Sequence, residues 1–153
     1  MTVDATAEKL FAIITTEEFE NAKNIKANGS LESVVGNVVK SDTSLEYIST
    51  TTDYERGITG VNKKKTEKSK YTYKWDLKAM SATWTMEHPM GKKVNITGTV
   101  KVLPKGDKSE LQNTLNVEIK IPLVGKKVEK MIVKEIDEGW HKYEAVVKEF
   151  ASK

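Results

Sequence analysis

The chain has 153 residues, 38% hydrophobic and 31% charged, which suits one domain that buries most of its apolar surface. Its 25 Lys and Arg against 22 Asp and Glu leave a net charge of +3 with the signs well mixed, so neither a nucleic-acid footprint nor an acidic tail is present. The lack of cysteine excludes disulfides, thiol nucleophiles and zinc–thiolate sites and leaves the redox compartment open, with the cytoplasm as the default; no apolar run approaches the roughly 20 residues that cross a bilayer, and no signal-peptide pattern occurs.

Asp4 or Thr6 can cap a short helix from Ala7 to Ile14, and Thr15-Thr16-Glu17-Glu18-Phe19 opens a second that runs to about Lys26, where Asn28-Gly29-Ser30 ends it. From there to Pro122 the apolar period is two, in six runs: Leu31 to Val39, Thr43 to Glu55, about Lys68 to Leu77, Met80 to Glu87, Val94 to Leu103 and Glu110 to Ile121. The breaks carry turn chemistry in Lys40-Ser41-Asp42, His88-Pro89-Met90-Gly91 and Pro104-Lys105-Gly106-Asp107, so the runs read as consecutive antiparallel strands. The last is the clearest, with Leu111, Leu115, Val117, Ile119 and Ile121 on one face and Gln112, Thr114, Asn116, Glu118 and Lys120 on the other. Val94, Ile96, Val100 and Val102 repeat the pattern in its neighbour. Gly98 and Asn113 break these apolar rows.

From about Val124 the period becomes helical, with Val128, Ile132, Ile136, Gly139, Trp140, Tyr143, Val146, Val147 and Phe150 in one apolar sector. About 27 residues at 1.5 Å each make a rod of roughly 40 Å. Six or seven strands about 4.8 Å apart make a sheet roughly 30 Å wide, which such a helix can cross. The predicted fold is α+β: a curved antiparallel sheet of six to seven strands around one long C-terminal helix, with two short helices near the N-terminus.

This order of elements resembles the helix-grip fold of the START-like, or SRPBCC, superfamily, which includes birch-pollen-allergen-like proteins and polyketide cyclases. The segment Ile121-Pro122-Leu123-Val124-Gly125-Lys126-Lys127-Val128-Glu129 is similar to a strand-to-helix junction in an uncharacterised bacterial family of that superfamily. Tyr73-Lys74-Trp75, Glu87-His88-Pro89 and Val94-Asn95-Ile96-Thr97-Gly98-Thr99 resemble that family in order and spacing. The resemblance spans most of the chain and implies a single domain, residues 1–153, with a cavity under the helix. Members open with a full strand, whereas only Met1-Thr2-Val3 precedes Asp4 here, so the first strand is expected to be very short, absent or removed.

A mid-helix glycine costs roughly 0.5 to 1 kcal/mol against alanine. Gly139 therefore serves close packing against a bulky strand residue such as Trp75 or Trp84, space for a ligand under the helix, or a simple kink. Gly98 admits the first two readings, and a bulge that bends the sheet is the foremost expectation for it. Asn113 needs a polar partner, from protein, water or a ligand head, because burying an unpaired amide costs on the order of 1 to 3 kcal/mol. Tyr73, Trp75, Trp84, Trp140 and Tyr143 are rigid aromatic surface for core or pocket. The candidate ligand-binding set is Tyr73, Trp75, Trp84, Gly98, Asn113, Leu115, Ile132, Ile136, Gly139, Trp140 and Tyr143. Glu135, at the margin of the apolar sector, is expected to reach solvent.

Catalytic signals are weak. His88 beside a proline turn and His141 on the polar side of the last helix have no nucleophile or metal-ligand spacing near them, and neither HExxH, GxSxG nor a phosphate-binding glycine loop occurs. No cofactor or metal is implied. Lys63-Lys64-Lys65-Thr66-Glu67-Lys68 after the Gly57 to Gly60 connection is ordinarily a solvated hairpin; its functional reading is transient contact of Lys63, Lys64 and Lys65 with an anionic membrane surface. The residues thus favour binding or transport of a hydrophobic small molecule, a lipid or sterol among the options, between sheet and helix. A cyclase-like or hydrolytic enzyme using the same cavity, and a ligand-free interaction module with a filled core, are the alternatives.

Overall fold

The computed structural model describes residues 1–57 and 60–153; residues 58 and 59, in the Gly57 to Gly60 connection, lie outside the described residues. Thr6, not Asp4, caps helix α1 (Ala7–Ile14) by accepting from the Lys9 amide at 3.2 Å. Thr16 caps α2 (Glu17–Ala22) through the Phe19 amide in the same way. This helix then widens into a π-helical turn, Lys23–Ala27, closed by the Asn28 amide on the Lys23 carbonyl.

Seven antiparallel strands follow the expected alternation: β1 (Thr2–Val3), β2 (Glu32–Lys40), β3 (Ser44–Gly57), β4 (Gly60–Asp76), β5 (Ser81–Glu87), β6 (Val94–Lys105) and β7 (Lys108–Ile119), ordered β1-β7-β6-β5-β4-β3-β2. The first strand is only two residues long, but Val3 is wholly buried where it pairs with Ser109. The largest departure from the sequence reading is β4, which starts at Gly60 and not near Lys68. Its early part pairs only with β3, and Lys63, Lys64 and Lys65 fall at the register shift between the Tyr54–Thr66 and Glu55–Asn62 pairs, where they have no partner on β3 and their side chains are exposed. A ribbon wet on both faces has no reason to show apolar alternation, and period two could not reveal it.

The inward face is a grid of cross-strand rows. One row reads Leu45, Trp75, Ala82, Val100, Asn113; the next reads Tyr47, Tyr73, Trp84, Gly98, Leu115; the third reads Ser49, Tyr71, Met86, Ile96, Val117. The register of β6 runs unbroken through Gly98 to both neighbours, so no bulge occurs there. Gly98 is a seat for an aromatic ring: a Cβ would stand 2.5 Å from the Trp84 indole and 2.5 Å from the Thr114 carbonyl oxygen.

Helix α3 (Gly125–Ala151) crosses this face. At its start, a Cβ on Gly125 would meet the Ile119 carbonyl oxygen at 2.7 Å, and Glu129 accepts the Ile119 amide at 2.8 Å. The glycine and the glutamate of the junction motif thus lock the strand end to the helix start. At the far end Val146, Val147 and Phe150 are buried, and Phe150 meets Phe19 edge-on at 5.5 Å. Two apolar clusters result, a main core under the C-terminal half of α3 and a smaller one around Val94, Ile96 and Ile119 under its first turns; Trp84 packs against both.

Candidate functional site

Between those clusters lies the middle of α3. A Cβ built on Gly139 meets no atom within 4 Å, which overturns the close-packing reading with Trp75 or Trp84. Ile132, Trp140 and Tyr143 are half-buried, opposite half-buried Trp84, Leu115 and Val117 of the sheet. Apolar groups in that state on both elements are incompletely covered by protein. On the β7 side a hollow of about 400 Å³ lies between Leu115 and Val117 and the helix residues Glu129, Lys130, Val133, Lys134 and Asp137. On the other side Arg56 of β3 reaches across to Glu135, 2.7 Å away, and to the Asn28 carbonyl. Glu135 is therefore an exposed strap between β3 and α3, as its marginal position in the sector led us to expect.

The sequence-derived candidates fall into this frame unevenly. Tyr73, Trp84, Gly98 and Leu115 form one unbroken row across the sheet, with Trp75 and Asn113 in the adjoining row. Trp75 and Tyr73 are buried in the core, Trp75 against Phe11 and Tyr73 against Tyr47. Ile136 is 38% exposed, farther towards the outside than an inward sector position implies. Trp140 and Tyr143 pack on each other with ring centres 5.1 Å apart, and the Trp140 indole donates to Glu144. A hollow of about 390 Å³ beside Gly98 is lined largely by threonines, among them Thr83, Thr97 and Thr99, that alternate with the inward rows and so belong to the convex face.

Between the π-helical turn and the sheet lies a polar network that period-based reading missed. Lys23 donates to Glu20 Oε2 at 2.7 Å and to the Tyr73 hydroxyl at 2.8 Å; Tyr47 also donates to Glu20 Oε2, and Asn24 donates to Glu20 Oε1 and to Ser49. Glu20 is 2% exposed and Lys23 9%. Burial works to lower the Lys23 pKa, but the Glu20 carboxylate overrides it and leaves the ammonium above its ordinary value. Burial pushes Tyr73 well up, Tyr143 up and Tyr71 to about 12, so all three stay protonated at neutral pH. Asn113 sits beside the Tyr143 hydroxyl, short of hydrogen-bond geometry, and its buried Nδ2 has no partner among the described residues. The signal for this network was available: Glu20, Lys23, Asn24 and Ala27 recur at helical spacing beside Phe19, on the face that α2 must bury. His88 is partly buried, its Nδ1 accepting the Met90 amide within the turn, and burial lowers its pKa. Among the described residues no group of three His, Asp or Glu could hold a metal ion, and no helix is long and apolar enough to cross a membrane.

A family model described as protein of unknown function (DUF2505) matches residues 1–150. The chain belongs to the DUF2505 family. No curated protein matches its sequence. Among solved structures, this DUF2505 chain is similar to TTHA0849 from Thermus thermophilus, with 17% identity and a TM-score of 0.67 over 99% of this chain and 92% of that one. It is similar to the Zhui aromatase/cyclase from Streptomyces sp. R1128, with 9% identity and a TM-score of 0.62 over 99% and 90%. It is similar also to a START superfamily protein from Mycobacterium smegmatis, with 16% identity and a TM-score of 0.57 over 97% and 94%. At such identities the likeness establishes the fold, and the DUF2505 chain has the START-like helix-grip architecture that the order of its predicted elements led us to expect.

Proposed function

We propose that the protein binds and carries a hydrophobic small molecule in the cleft between the concave sheet and the middle of α3. One observation carries this reading: Gly139 has open space where a side chain would point, and the apolar residues around that gap on helix and sheet are left partly uncovered. A ligand there removes them from water at about 25 cal/mol for each Å². The eleven sequence-derived residues take graded roles in this proposal. Trp84, Leu115, Ile132, Gly139, Trp140 and Tyr143 contact the ligand; Tyr73 and Asn113 stand at its polar end; Trp75 and Gly98 hold Tyr73 and Trp84 in place; Ile136 lies at the rim.

The start of β4 and the connections β5–β6 and β7–α3 lie at one end of the sheet, because the strands alternate in direction. That end carries the exposed Lys63, Lys64 and Lys65, exposed Met90, and Leu123 with its side chain fully in solvent. Ligand exchange at an anionic membrane surface would use these residues, lysines on the headgroups and the two apolar tips between them.

Native mass spectrometry of freshly purified protein, followed by organic extraction, tests the carrier reading. A co-purified apolar ligand, or micromolar binding of a fluorescent fatty acid or sterol analogue with a change in tryptophan emission, supports it. A folded protein that binds no member of several lipid classes would leave the cleft without this function.

A further inference from the structure

The carrier reading leaves open what the ligand's polar end looks like, and the buried network beside the cleft bears on that question. Its acceptors are saturated and its donors are not. Glu20 receives Lys23 and Tyr47 on one oxygen and Asn24 on the other, so its charge is met by three donors. Lys23 has three N–H groups, and among the described residues only Glu20 and Tyr73 accept from it. The Tyr73 oxygen already accepts from Lys23, which leaves its own proton to be donated elsewhere, and no acceptor for it occurs among the described residues. Asn113 Nδ2 is buried without a partner among them. Tyr143 connects these groups, since it packs against the core cluster that holds Tyr47 and Tyr73 and its hydroxyl lies beside Asn113.

Natural interiors rarely leave several buried donors facing one another without an acceptor. Each such group forfeits the hydrogen bond it had in water. What complements a set made of one ammonium, two phenols and a carboxamide, each with an N–H or O–H still to give, is a group that only accepts and carries negative charge. A carboxylate does so, with two oxygens and about four lone-pair sites. We propose that Lys23, Tyr73, Tyr143 and Asn113 form a carboxylate-binding subsite at the polar end of the cleft, so that the ligand is a hydrophobic carboxylic acid inserted head first. This rests on the carrier reading and narrows it to one ligand class. Glu20 is then a positioning residue: it offsets the desolvation cost of Lys23 in the empty protein and aims the ammonium at Tyr73.

The experiment compares a long-chain fatty acid with its methyl ester and its alcohol, which share the chain and differ in the head, by tryptophan fluorescence titration at pH 7. The wild-type protein is expected to bind the acid at least about tenfold more tightly than the ester or the alcohol. Removing Lys23 alone strands Glu20 in the core, so the charge pair is removed together in the Glu20→Gln/Lys23→Met double variant. Tyr143→Phe, on the half-buried helix wall, is the variant least able to harm the fold. Both are expected to lose most of the preference for the acid, read as the ratio of acid to ester affinity in the same variant. As a second readout, the carboxyl carbon of a ¹³C-labelled acid should titrate at lower pH when bound than when free, and this depression should shrink in the variants. Equal wild-type affinity for acid, ester and alcohol would overturn the subsite while leaving the carrier reading in place. Failure of all three to bind a folded protein would remove the carrier reading, and the subsite with it. An acid preference unchanged in both variants would show that the head binds elsewhere.

Discussion

Trp84 and Gly98 face each other across the β5–β6 ladder, and the indole occupies the space that a Cβ at position 98 would need, 2.5 Å from its ring atoms. The pair is the hinge between the two apolar clusters, because Trp84 touches both and can lie flat only on a residue without a side chain. Gly98→Ala should therefore destabilise the protein by about 1 to 3 kcal/mol or more, as overpacking against a backbone carbonyl and a bulky ring does. Urea denaturation of the variant beside the parent measures it. A loss below about 0.5 kcal/mol would show that the indole moves aside freely.

What the sequence disclosed and what it hid both follow from periodicity. Strands β5 to β7 and helix α3 have one wet and one dry face, so alternation alone assigns Leu111, Leu115, Ile119 and Val147 to the inside, where the fold places them. The early part of β4 has no dry face and is invisible to the same reasoning. Gly98 stands out as an interruption but reads as a bulge, because one chain position cannot reveal that a tryptophan from the neighbouring strand needs the space. The Glu20–Lys23 pair is hidden for a related reason: charged residues on a short helix are read as solvated, and only the three-dimensional return of Tyr47 and Tyr73 to that helix makes their burial tolerable. Asn113 is visible as a polar break in an apolar row, and its lack of a partner among the described residues emerges from the fold.

Gly139 separates open space from hidden packing through a pair of substitutions. Because a Cβ there meets nothing within 4 Å, Gly139→Ala should raise stability by up to about 1 kcal/mol through helix propensity alone. Gly139→Leu should keep or raise the melting temperature and weaken ligand binding, since its side chain occupies the ligand's place. Differential scanning calorimetry with and without a bound fluorescent fatty acid reads both effects. A leucine variant that melts well below the parent would mean that the helix closes onto the sheet in solution.

Exchange with membranes is expected to depend on the ribbon lysines. Changing Lys63, Lys64 and Lys65 together to Ser removes three exposed positive charges near the Gly57 to Gly60 connection, each worth about 1 kcal/mol at an anionic surface. Transfer of a fluorescent lipid out of phosphatidylserine-containing vesicles should slow by roughly one to two orders of magnitude. Transfer from phosphatidylcholine vesicles should hardly change. Equal slowing on both kinds of vesicle would point away from an electrostatic contact.

Alkaline titration should expose the buried tyrosines. In the native state Tyr71 is pushed to about 12, and Tyr47, Tyr73 and Tyr143 are also raised, in every case first through burial. In the unfolded chain these phenols titrate near 10. Between about pH 10 and 12 the unfolded state has therefore released protons that the folded state still holds, and stability must fall as pH rises, by up to about 1.4 kcal/mol per pH unit for each such group. Lys23 acts in the same direction: its raised pKa stabilises the fold fully below about 10.5, and that contribution disappears as pH climbs through the folded value. The protein should thus be indifferent to pH from neutrality to about 9.5. Above that, circular dichroism should record cooperative unfolding together with a steep, late rise of phenolate absorbance. In the Glu20→Gln/Lys23→Met variant the Lys23 component is absent, so the onset should be less steep. Gradual phenolate formation around pH 10 without loss of ellipticity would show that the tyrosine hydroxyls face solvent, and would remove the physical basis for a polar network sealed between the π-helical turn and the sheet.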